Sequence, residues 1–122
     1  MHFEDRELKP YAEPISIKEL KEGSVYFAVQ FTDPGMLIPV METLVFVGIE
    51  ESRSGRRYLR FQTIDSYSAG IRYDSATEDE KSSFLTQSED QLNHIFDYEH
   101  ALNELVKCAV RRRGVVGGGH NE

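Results

Sequence analysis

Apolar and polar side chains alternate strictly over residues 25–31, with Val25, Phe27, Val29 and Phe31 on one side and Tyr26, Ala28 and Gln30 on the other. That period of two is the signature of a strand, and it predicts one core-facing side, the one carrying Phe27. Residues 42–49 are almost continuously apolar or β-branched (Thr43, Leu44, Val45, Phe46, Val47, Ile49), which predicts a central strand covered on both faces. Gly48 inside that run predicts a bulge or tight bend. After a break tipped by Ser54-Gly55, Leu59, Phe61 and Thr63 oppose Tyr58, Arg60 and Gln62, completing a hairpin. A weaker alternation (Tyr67, Ala69, Ile71, Tyr73), interrupted by Gly70, predicts a fourth strand over 67–73.

The pattern then fades. Residues 74–91 are polar and read as a long solvated excursion anchored only by Phe84-Leu85. Residues 92–96 are expected to return as a short edge strand, and Asp97 to cap a helix over 98–113. Tyr98, Leu102, Leu105, Val106 and Ala109 recur at spacings of three and four and form the predicted buried stripe. Arg111, Arg112 and Arg113 complement the helix dipole at its end. The expected fold is α+β: a strongly bent antiparallel sheet, or an SH3-like small barrel, of about five strands with one C-terminal helix packed on it. Its domain plan is a loosely ordered arm over 1–14, a single domain over 15–113, and a disordered Gly-rich tail over 114–122. Phe27, Phe46, Phe61, Leu102 and Leu105 are the predicted core.

Composition narrows the function classes. A chain of 122 residues, 39% hydrophobic and 29% charged, is sized for one packed domain. The net charge of -7 opposes non-specific binding to polyanions, so nucleic acid is an unfavoured partner. A single cysteine, Cys108, forbids an internal disulfide and fits a reducing compartment. With no secretory leader and no apolar run long enough to span a bilayer, the expectation is a cytoplasmic protein without membrane attachment.

Catalytic chemistry finds little support. The four histidines (His2, His94, His100, His120) lack metal-ligand spacing with Cys108, so no metal site is expected. Cys108 could gain reactivity from Arg111 and Arg112, one helical turn away, but a cysteine beside an apolar stripe reads more simply as a packed small residue. No nucleophile elbow, dinucleotide loop or P-loop is present. The chain is therefore expected to be neither an enzyme nor a cofactor protein.

Two surfaces remain as binding candidates. Arg53, Arg56, Arg57, Arg60 and Arg72 interleave with Tyr58, Tyr67 and Tyr73, a combination suited to stacking and to anion contact. Within it Arg56 and Arg60 stand four apart, and Asp65 and Gly70 follow. This resembles the paired motifs of the PilZ domain, a small barrel that binds a cyclic dinucleotide. Tyr67 stands where the second motif has serine, however, and the two motifs nearly abut where that fold places a strand between them, so the chain is not assigned to that family. The second surface is the apolar loop Met36, Leu37, Ile38, Pro39, Val40, Met41. Leu37 and Ile38 are expected to fold under, while the methionines suit an adaptable protein contact. The sequence reading is a non-catalytic module for protein–protein interaction or regulation, its partner another protein or a second copy of the chain. The alternative is nucleic acid or an anionic nucleotide on the Arg/Tyr surface. The candidate binding residues are Met36, Leu37, Arg56, Arg57, Tyr58, Arg60, Tyr67 and Arg72.

Overall fold

The longest strand occupies the centre of the sheet. A computed structural model describes residues 7–119, with side chains as far as 114. Its strands are β1 (Val25–Phe31), β2 (Pro39–Glu51), β3 (Arg57–Thr63), β4 (Phe84–Ser88) and β5 (Ile95–Phe96). Between and after them lie a short helix α1 (Ile64–Ser68) and the long helix α2 (Tyr98–Gly119). All pairings are antiparallel, in the order β4-β3-β2-β1-β5. The edge strands β4 and β5 do not pair with each other, so the sheet is open and the SH3-like barrel expected from the sequence is corrected. Closure has no room on the β5 side: that strand is two residues long, and Ile15 donates its N–H to Ile95 O at 2.9 Å.

Gly48 bends the sheet as expected. The register of β2 against β3 shifts between Phe46 and Gly48, and Gly48 holds φ at +152°, where a side chain is strained. The Ser54-Gly55 tip also forms, with Gly55 at φ +86°.

Both faces of the sheet are covered, and the larger core is on the side opposite to the one the alternation favoured. Tyr26 and Ala28 join Leu44, Phe46, Leu59, Phe61 and Ile95 in one buried cluster. Ile15, Ile17, Leu20 and Leu92 cover it. Tyr26 tolerates this burial because its hydroxyl accepts the Lys21 N–H (2.8 Å) and donates to Glu19 O (3.4 Å). Phe27, Val29 and Phe31 lie on the second face with Phe96 and Ala101, beneath α2.

Asp97 caps α2 as predicted, accepting the His100 N–H at 2.9 Å. The buried stripe is displaced from the predicted one. Ala101 and Cys108 are buried, whereas Leu102 is 46% exposed and Tyr98 and Ala109 are exposed, which corrects their assignment to the core. Small side chains at the contact let the helix lie close to β1 and β5, and the bulky residues fall on its flank. The opposite flank holds the N-terminal segment, through Lys107 Nζ donating to Tyr11 O at 3.0 Å. The helix continues to Gly119, past the expected end at Arg113; residues 120–122 and 1–6 lie outside the described residues.

The fourth predicted strand is also corrected. Residues 67–73 leave the sheet through α1, and the fourth strand is instead β4, inside the stretch read as solvated loop. Ser66 accounts for the turn: its hydroxyl donates to Thr63 O (3.0 Å) and lies 2.9 Å from Thr63 Oγ1.

Candidate functional site

The candidate residues fall in three separate places rather than on one surface. Arg56, Arg57 and Tyr58 leave the hairpin tip, where Arg56 and Tyr58 line an open cleft of about 520 Å³ with Ser54, Gly55, Glu89 and Asp90. Here the cations are neutralised. Arg57 pairs with Glu89 at 2.6 Å and Arg56 with Asp90 at 3.5 Å. The Ser88 hydroxyl, then the Asp90 amide, with a smaller contribution from the Arg56 charge, hold the Asp90 carboxyl below its ordinary value. The acidic partners come from the turn after β4, an element that the sequence pattern does not reveal.

Arg60 and Arg72 belong to a second cleft, of about 370 Å³, on the α2 side of the sheet but beyond the helix. Its floor is Val47, Gly48, Arg60 and Gln62, and Tyr73 and Phe84 wall it. Phe84 pairs in register with Gln62, which puts both on one face. The residues after α1 fold back over this face, and Gln62 Nε2 donates to Ile71 O at 2.7 Å to hold them there. Arg60 lies over the Tyr73 ring at 3.6 Å and pairs with Glu50. Tyr73 meets Phe84 edge-on at 5.2 Å between centroids. Arg72 lies over Tyr67 at 4.2 Å and donates to the carbonyls of Tyr67 and Ile71.

Two polar atoms of this cleft have no protein partner: the Oε1 of Gln62, a residue 0% exposed, and the Nε of Arg60. The Nε2 bond to Ile71 O fixes which amide atom is which, because only the nitrogen can donate to a carbonyl. Gln62 was not a sequence candidate. Its alternation marks it as the outward side of a hairpin, and nothing in the chain announces the cover that buries it.

Met36 and Leu37 lie in the third place, the β1–β2 loop. The Asp33 carboxylate accepts the N–H groups of Leu37 (3.0 Å) and Ile38 (2.8 Å), and the Leu37 amide contributes most to holding the Asp33 pKa down. Met36 adopts φ +57°, the one non-glycine residue with positive φ among the described residues. From α2, Arg111 Nε donates to Met36 O and Arg112 to Leu37 O, both at 2.9 Å. These two arginines, read from the sequence as dipole complements, are loop clamps. Leu37 is half-buried as expected; Ile38 is 54% exposed, which corrects the expectation that it folds under. The pinning of Ile38 at both its N–H and its carbonyl, which accepts from Thr32 N at 3.1 Å, fixes that outcome.

Cys108 is buried, its Sγ 3.6 Å from Leu37 O. His94 and His100 are not gathered with it: among the described residues no three His, Cys, Asp or Glu side chains are placed to hold a metal ion. No helix among them is long and apolar enough to cross a membrane. No protein-family model, no curated protein and no solved structure matches this chain.

Proposed function

We propose that this domain is a non-catalytic protein-interaction module whose contact is the end of the β1–β2 ribbon. One observation carries the reading: Met36, Ile38, Val40 and Met41 are 46%, 54%, 50% and 41% exposed, the first two on a loop held by Asp33, Arg111 and Arg112 and the last two on β2 paired with β1. Loose apolar loops bury their side chains by collapsing; this loop is fixed in a shape that keeps them out. Val40 pairs with Gln30 and Met41 with Val29, so the two project to opposite faces and the apolar surface wraps the ribbon's end. Such a preformed projection lowers the ordering cost of association, and methionines adapt to the partner's relief.

The alternative, nucleic acid or an anionic nucleotide on the Arg/Tyr surface, is weaker. Arg56, Arg57 and Arg60 each have a carboxylate partner, so neighbouring negative charge cancels much of the field that a phosphate would need.

The experiment compares the wild type with an Ile38→Asp, Val40→Asp variant, both shown folded by circular dichroism. Cross-linking capture and sedimentation over a micromolar concentration range read hetero- and self-association. Association that the variant loses supports the module. A strict monomer that captures no protein, or capture indifferent to the two aspartates, overturns it.

A further inference from the structure

The Gln62 cleft is a built site that the interaction surface does not use. At about 370 Å³ it reaches the size at which small-ligand sites begin. Behind its lining lie one unpaired acceptor, Gln62 Oε1, and one unpaired donor, Arg60 Nε–H, on the same face of β3. Enclosed polar atoms are almost always paired, so two in one cleft are unusual and complementary. The aromatic wall of Tyr73 and Phe84 suits a flat molecule.

Charge decides the kind of flat molecule. The rim sets Glu22 and Asp74 against Arg72 and against Lys81, which lies over the Tyr73 ring at 5.0 Å, and the Arg60 cation already has Glu50. No surplus positive charge remains for a phosphate. We propose that this cleft binds a neutral planar heterocycle bearing an amide edge, a nucleobase-like lactam, whose N–H donates to Gln62 Oε1 and whose C=O accepts from Arg60 Nε. Both protein atoms are closed off from solvent, so the ligand meets them after the Tyr73 ring lifts from the Arg60 guanidinium. Tyr73 sits in a single 3-10 turn, Tyr73–Ser75, and not in the sheet, so this movement breaks no ladder bond, only the ring's contacts with Arg60, Phe84 and Lys81.

The test is a titration of the folded chain with uracil and with hypoxanthine. The readouts are the NMR signals of the Gln62 side-chain amide and the Arg60 Nε–H. Saturable shifts at both groups are expected, with 1,3-dimethyluracil, which keeps the carbonyls and lacks the N–H, at least about tenfold weaker. Gln62→Leu and Arg60→Lys each remove one of the two partners and should likewise weaken binding about tenfold or more. Absence of shifts at millimolar base overturns the proposal, as does an affinity, read from the signal that each variant retains, that neither substitution lowers. Binding of uridine monophosphate alone, weakened by salt, overturns the neutral class in favour of an anionic ligand.

Discussion

Replacing Gln62 by leucine removes two polar atoms from the interior of the domain and should make it more stable. Three quantities set the sign. The side chain is 0% exposed and its Oε1 has no protein partner, a burial that costs about 1–3 kcal/mol. Against this stands the loss of the Nε2 bond to Ile71 O, worth about 0.5–1.5 kcal/mol. That carbonyl is not orphaned, since Arg72 also donates to it at 2.7 Å. Leucine is close to glutamine in volume, so little strain is added. The balance is a gain of about 1 kcal/mol, read as a higher urea midpoint at unchanged slope and a melting temperature raised by about 3–5 °C. Phe61→Ala, the adjacent residue on the opposite face, is the control and should lose about 3–5 kcal/mol. If Gln62→Leu instead loses more than about 1 kcal/mol, the acceptor has a partner inside the fold and the ligand argument built on it fails.

Two further outcomes follow from particular residues. Gly48→Ala and Gly114→Ala add the same methyl group into open space, yet their signs should differ. At φ +152° the first should lose about 1–3 kcal/mol, and in a helix the second should gain about 0.5–1 kcal/mol; equal effects in urea titration would contradict the backbone account. His100 titrates above its ordinary 6.5, first because Asp97 accepts its ring hydrogen bond, then through the charges of Asp97, Glu13 and Glu99, with burial opposing. A raised folded pKa means stability present in full below pH 6.5 and lost as pH rises through the folded value, so the excess stability of wild type over His100→Asn should shrink toward alkaline pH. A difference that grows toward alkaline pH would reverse the sign of this linkage.

The sheet's middle was legible in the sequence because its signals are local. Alternation marked Val25–Phe31, Ser54-Gly55 marked the hairpin tip, Gly48 marked the bulge, and Asp97 marked the start of α2. Which face of β1 holds the main core was not legible, since both sides are apolar and the decision rests on what covers each: Ile15, Ile17 and Leu20 on one, α2 on the other. Residues 67–73 alternate like a strand but follow Ser66, whose bond to Thr63 O turns the chain out of the sheet. That departure is also what closes the Gln62 cleft, so a site made by it could not be read from β3 alone. The exposed ribbon end was nearer to the surface of the sequence: Met36 to Met41 is conspicuously oily for a connection, and only the fate of Ile38 needed the Asp33 and Thr32 bonds to decide it.

The guanidinium grips from α2 onto Met36 and Leu37 tie two distant parts of the chain into one mechanical unit. Tension along the helix, from a tether or a fused protein pulling beyond Arg113, would meet the oily tip and the end of β1 together, because Arg111 also lies over the Phe31 ring at 5.1 Å. The far end of the helix is thus coupled to the shape of that apolar tip, and an attachment placed there would disturb the loop it was meant only to sit behind.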